Sequence, residues 1–222
     1  MGLKLRRGLS FCRIGKRILF LDVTDDRYFC LKPAAEFAFA RLVTASEPLG
    51  EHDQDAIAGM IREGLLVPSG SSMAPRPCEA PPAATRSLLD IKLARPTSFD
   101  LSGAAWALAR ATLLTRAGAL DRSLRAFTDL KSSASGQSRT NGALQKTAAA
   151  FEMLTLVTSP LDRCLPRSLA MARRLAMQGL RPDLLIGVQL HPFRAHAWVQ
   201  HDDWLANDRL DAVRSFTPIL AL

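Results

Sequence analysis

Five prolines fall within residues 68–82, set among serines, with no apolar period running through them. Proline fixes φ and donates no backbone hydrogen bond, so such a run joins neither a helix nor a central strand. The 222-residue chain therefore reads as two domains, 1–68 and 84–222, joined by a linker over 69–83. Hydrophobic content of 48% supplies core material for both.

Residues 1–68 show three short strand-like runs, 9–14, 17–23 and 27–31, separated by Gly15-Lys16 and Thr24-Asp25-Asp26. Pro33 suits the first turn of a helix that carries Phe37, Ala38, Ala40, Arg41 and Leu42 to about Thr44. A second helix follows the loop at 47–50. Its apolar residues Ala56, Ile57, Met60 and Ile61 recur at helical spacing, Gly64 stops it, and Leu65-Leu66-Val67 packs back. Strands followed by helices in so few residues predict a small winged-helix-like module within an overall α+β chain.

Residues 84–160 read as helical, with a cap at 98–101 and helices over 104–117, 120–130 and 143–157. Arg110, Arg116, Arg122 and Arg125 read as a solvated helix face. The chemistry lies further on. Ser159-Pro160 precedes a helix that runs to Gly179 and has Cys164 in its first turns, with Pro166 tolerated only near its start. A helix N-terminus favours a thiolate, Arg163 and Arg167 add positive charge, and a thiol of pKa ~8.5 can fall to roughly 3.5–7.5 in such a site.

A buried strand over 183–190 follows, then two strand-like runs, 195–200 and 204–208. A hairpin centred on Asp202 pairs Gln200 with Trp204, Trp198 with Ala206 and His196 with Asp208. Opposed side chains of an antiparallel pair share a face with Cβ atoms about 4.5–5.5 Å apart, so imidazole and carboxylate meet. The carboxylate would fix the imidazole tautomer while His196 takes the Cys164 proton. Cys12, Cys30 and Cys78 have no such company and read as packing or surface residues.

Cys164-Leu-Pro-Arg-Ser-Leu-Ala, Leu185-Ile-Gly-Val, Phe193-Arg-Ala-His196-Ala-Trp-Val and Asn207-Asp208 together resemble the B protein of lasso-peptide biosynthesis, a leader peptidase with a papain/transglutaminase-like cysteine peptidase fold. The resemblance covers about sixty C-terminal residues and implies catalytic roles for Cys164, His196 and Asp208. Asp26-Arg27-Tyr28-Phe29-Cys30-Leu31 before a proline-started helix resembles the PqqD-like leader-recognition domain, the RiPP recognition element. In such domains the leader adds to the third strand and touches the last helix. That implies a groove of Tyr28, Phe29, Cys30 and Leu31 with Ile57, Met60 and Ile61, about half of which must face the core because strand residues alternate. The implied activity is hydrolysis of a leader–core junction, with the core passed to an asparagine-synthetase-like macrolactam cyclase. The thiol chemistry needs no cofactor, and ATP enters through the cyclase.

No apolar run approaches the ~20 residues of a membrane span, and Lys4, Arg6, Arg7, Arg13, Lys16 and Arg17 interrupt any signal-peptide core, which predicts a cytoplasmic protein without membrane partners. The four cysteines form no CxxC and have no histidine at ligand spacing, which argues against a metal site or a disulfide framework. The net charge of +8 sits mostly in residues 69–160. Two other function classes fit parts of the pattern: a transglutaminase-like acyltransferase with the same triad, and a winged-helix DNA-binding regulator. The second leaves the triad spacing unexplained, so no nucleic-acid partner is expected.

Overall fold

In the computed structural model, which describes residues 2–44, 49–70, 74–135, 140–155 and 164–222, without the side chains of residues 140 and 141, the chain divides into two units between Glu79 and Ala80. The first begins with β1 (Gly2–Leu5), β2 (Leu9–Ile14), β3 (Arg17–Asp22) and β4 (Arg27–Cys30), followed by α1 (Pro33–Thr44), α2 (Glu51–Arg62) and β5 (Leu66–Ser69). Strands β2, β3 and β4 form an antiparallel sheet in that order, while β1 pairs with β5 in a separate two-stranded sheet. The β1–β5 pair was not among the expected strands.

Local chemistry accounts for the turns. Ile14 pairs with Arg17, leaving Gly15 and Lys16 as a two-residue loop in which Gly15 takes φ +59°, a conformation glycine adopts without steric cost. Asp22 is fully buried at the end of β3; it accepts the backbone N–H groups of Thr24 and Asp25 and pairs with Arg6 and Arg27. Helix α2 opens with Asp53 accepting the Gly50 N–H at 3.2 Å. It ends in a Schellman motif, Leu65 N–H to Met60 O and Gly64 N–H to Ile61 O.

The core of this unit joins Phe11, Phe20, Phe29 and Phe39 at ring separations of 5.0–5.7 Å. Ile57 and Met60 are buried in the same cluster, at 5% and 3% exposure, so they face inward and do not line a surface groove as expected. Their spacing of three puts both on the stripe of α2 that faces the core. Ile61 is 39% exposed. Tyr28, Phe29, Cys30 and Leu31 are half-buried on or next to β4, an edge strand that pairs only with β3 among the described residues. Part of the proline-rich stretch belongs to this unit: Pro75 is buried and the Cys78 N–H donates to Phe11 O at 2.8 Å. Burial, with the Cys78 and Cys30 thiols nearby, pushes the Cys12 thiol up to about 12.

The second unit contains β6 (Arg86–Ser87), a 3-10 turn over Leu88–Asp90, α3 (Ser98–Arg116), α4 (Leu120–Ser133), α5 (Thr140–Thr155), α6 (Cys164–Met177), β7 (Asp183–Leu190), β8 (Phe193–His201), β9 (Trp204–Leu205), α7 (Leu210–Val213) and β10 (Thr217–Ala221). Its five strands lie in the order β10-β7-β8-β9-β6, all antiparallel except the β6–β9 pair. The stretch expected to be wholly helical thus also supplies an edge strand. The cap of α3 is Thr97, whose hydroxyl accepts the Asp100 N–H while Asp100 accepts the Thr97 N–H, rather than a residue within 98–101 alone.

Helix α6 is the centre of this unit. It packs against α3, α4, α5, β7 and β8, with Leu169, Ala170, Met171, Ala172, Leu175 and Ala176 buried. Gly179, at φ +88°, ends it as expected. No helix among the described residues is long and apolar enough to cross a membrane.

Candidate active site

Cys164 is the first residue of α6 among the described residues, and the start of the expected helix at 159–163, with Arg163, lies outside them. Its thiol is hydrogen-bonded to His196 on β8 and to the backbone N–H groups of Ala197 and Leu165. His196 Nε2 in turn meets Asp208 Oδ2, which leaves Nδ1 as the nitrogen for sulfur. Cys164, His196 and Asp208 therefore form one continuous line of hydrogen bonds.

The route by which Asp208 gets there differs from the expected hairpin. Gln200 pairs with Leu205 and His201 with Trp204, so the turn holds Asp202 and Asp203 alone, with Asp202 at φ +52°. A ladder continued in that register would set Ala197, not His196, opposite Asp208 and send the carboxylate to the wrong face. The strand instead stops. Ala206 N–H still donates to Val199 O at 2.9 Å, but the return bond of that pair, which Ala206 O would accept, is replaced by a side chain, with Asn207 Oδ1 accepting the Val199 N–H at 2.8 Å. Past that point the chain turns, and Asp208 reaches the imidazole from outside the sheet.

A buried network fixes this departure. Asn207 Nδ2 donates to Ser168 Oγ at 2.8 Å, and Ser168 Oγ donates to Ala197 O at 2.8 Å. Ser168 lies four residues after Cys164, one helical turn along the same face of α6, so a single face carries the nucleophile and the anchor of the acid-bearing loop. Asp208 is held at both ends: Ser87 Oγ donates to its carbonyl at 2.7 Å, and the Arg209 N–H donates to Oδ1 at 2.8 Å. No role was expected for Ser87, Ser168 or Asn207. A serine facing the core four residues from the thiol and an asparagine next to the acid were the available signals.

His196 lies between Phe216, at 5.3 Å ring separation, and Trp198, at 6.2 Å. Opposite it on β7 is Gly187, where a Cβ would come within 2.7 Å of the Trp198 ring and 2.9 Å of Phe216 Cβ. Glycine is needed here for close approach. Burial pushes the His196 imidazole down, but its bonds to Asp208 and Cys164 and their charges outweigh this and raise it to about 9. Burial pushes the Cys164 thiol up, but hydrogen bonds from His196 and two backbone N–H groups, with the imidazolium charge, leave it below its ordinary value. Both shifts favour the thiolate–imidazolium form over the neutral pair. Arg167 is engaged elsewhere, with Glu152 at 2.9 Å, and is not among the causes of the thiol's shift.

The three side chains open into a cleft of about 370 Å³ whose other walls include Leu89, Leu108, Phe151 and Asn207. It can admit an extended segment or a single side chain rather than a folded domain. No group of three or more metal-binding side chains occurs among the described residues. The expected leader-contacting residues Tyr28, Phe29, Cys30, Leu31, Ile57, Met60 and Ile61 all belong to the first unit. Residues 104–221 match the family model described as the transglutaminase-like superfamily. No curated protein and no solved structure matches the chain.

Proposed function

Because this chain belongs to the transglutaminase-like superfamily, we propose that it is a cysteine peptidase that cuts a ribosomally made lasso precursor peptide at its leader–core junction. The observation that carries this reading is the unbroken line Cys164–His196–Asp208 at the mouth of a cleft, with the thiol lowered and the imidazole raised. The Cys164 thiolate attacks the scissile carbonyl, and His196 gives its proton to the leaving amine. Water then attacks the thioester with His196 as base, releasing the acid and restoring the thiol. Asp208 holds the imidazole with Nδ1 toward sulfur throughout, and the Cys164 N–H serves as one donor to the oxyanion.

Residues 1–68 act as a winged-helix-like, PqqD-like leader-recognition domain, 69–83 as a linker and 84–222 as the peptidase. The edge position of β4, which pairs only with β3 among the described residues, supports that assignment, since a leader strand can add there alongside Tyr28, Cys30 and Leu31. With Ile57 and Met60 buried, Ile61 is the contact left to α2. The protein works in the cytoplasm and hands the core amine to an asparagine-synthetase-like cyclase, through which ATP enters.

Acyl transfer by the same three residues is the second reading, and the family match accommodates it. Incubating the full chain with a leader–core peptide separates the two by mass. Hydrolysis yields two fragments whose masses sum to the precursor plus one water. A new amide without added water, or an intact peptide, overturns the peptidase reading.

A further inference from the structure

Behind the nucleophile helix lies a second cavity of about 300 Å³, enclosed by α3, α4 and α6. Its α6 wall includes Arg173, nine residues after Cys164, or about 2.5 helical turns. That places it on the opposite side of α6 from the thiol, away from the catalytic cleft. The floor is apolar, with Ala111, Leu169 and Ala170 buried. The mouth carries three guanidinium groups, Arg110, Arg173 and Arg174, and no acidic side chain lines it among the described residues. Trp106 and Met177 stand at 73% and 74% exposure on the same rim.

Arg173 is held below its ordinary value first by burial and then by the charge of Arg110. Arg174 reaches Asp100 only at 3.8 Å, and its Nε is buried without a partner. Gly103 makes room for this guanidinium: a Cβ there would collide with Arg174 Nη1. Arg110 is exposed, as expected of a helix face, and is one of the three.

We propose that this cavity binds a small organic anion, a carboxylate or phosphate carried on a flat ring. The paired guanidiniums of α3 and α6 take the anion in forked hydrogen bonds. The exposed Trp106 face and the apolar floor take the ring. The volume sits at the small end of ligand pockets, which selects a compact ligand over a folded partner. None of this depends on the peptidase assignment.

The test is calorimetric titration of the full chain with phenyl phosphate and 1-naphthoate, against inorganic phosphate, 2-naphthol and an Asp/Glu-rich peptide. The ring-bearing anions should bind about tenfold or more tightly than phosphate or naphthol alone, and Arg110→Gln or Arg173→Gln should each weaken them about tenfold. Gly103→Ala guards against misfolding: it keeps every charge and favours the helix, so melting temperature should hold or rise while affinity falls. Arg125→Gln, outside the cavity and paired with Asp121, should leave affinity unchanged. Ring anions that bind no better than phosphate, binding indifferent to Arg110 and Arg173, or binding by the acidic peptide alone would each overturn the proposal.

Discussion

Val199 gives its backbone N–H to the side chain of Asn207, at 2.8 Å, in place of the Ala206 carbonyl that a continued ladder would offer. The substitution of an amide for a peptide group lets the chain leave the sheet without orphaning a buried donor. It also fixes where the following residue, Asp208, begins its turn toward His196. The same amide donates to Ser168, so the position of the carboxylate is tied to the helix that holds the thiol.

Asn207→Ala should therefore cost both stability and chemistry. It leaves the Val199 N–H without its acceptor and deprives Ser168 of a donor, at about 1–3 kcal/mol for each buried group left unpaired. Denaturant melts should show that loss. In the fraction still folded, kcat should fall more than KM rises, because Asp208 loses its anchor while the cleft walls stay in place. A mutant with normal stability and normal kcat would show that the Asn207 bridge is incidental.

The directions of the two titrations predict a pH profile. The Cys164 thiolate takes up a proton only below the ordinary thiol range, so mass-mapped alkylation at Cys164 should stay fast at pH values where free thiols, pKa ~8.5, have slowed. Turnover should fall above about 9, where the His196 imidazolium loses the proton it gives to the leaving amine. Asp208→Asn removes the carboxylate that holds that charge. It should move the imidazole midpoint down and the thiol midpoint up. A Cys164 alkylation midpoint at or above the ordinary range in the native protein would contradict the ion-pair description.

Elements with local signals were legible from sequence, and those defined by distant partners were not. The Gly15-Lys16 turn and the Gly64 stop announce themselves because each needs a positive φ that glycine supplies. Strand β1 carries no comparable mark: Gly2–Leu5 becomes a strand because Leu66–Ser69 lies beside it. Cys164, His196 and Asp208 could be picked out by residue type and order, yet the hairpin drawn to join the last two was one residue out of register. Alternation along 204–208 does not reveal where a ladder ends, and here it ends because Asn207 can substitute for backbone. Ile57 and Met60 show a related limit. A helical apolar stripe has the same spacing whether it faces a core or a ligand, and only the elements packed against it, here α1 and β5, decide.

Removing the nucleophile should separate the roles proposed for the two units. Cys164→Ala is expected to abolish cleavage, while affinity for the leader peptide, measured by calorimetry, stays within about twofold because no leader contact is assigned to α6. Equal loss of cleavage and affinity in a folded variant would count against binding on the β4 edge.

Substitution of each nearby carboxylate tests which one serves His196. Asp208→Asn preserves shape but replaces an acceptor with an amide that can favour the wrong tautomer, so kcat should fall by roughly two to four orders of magnitude with leader affinity unchanged. Asp202 lies in the turn near His201, Asp203 pairs with Arg86, and Asp211 sits in α7; none bonds to His196 among the described residues. Their Asn variants should keep kcat within about threefold, with Asp203→Asn losing only a half-exposed ion pair. One residue inserted between Asp202 and Asp203 should be nearly as harmful as Asp208→Asn, since the slip moves Asn207 off the Val199 N–H. Near-normal turnover in a folded Asp208→Asn enzyme, or a greater loss from Asp211→Asn, would show that the wrong carboxylate has been paired with His196.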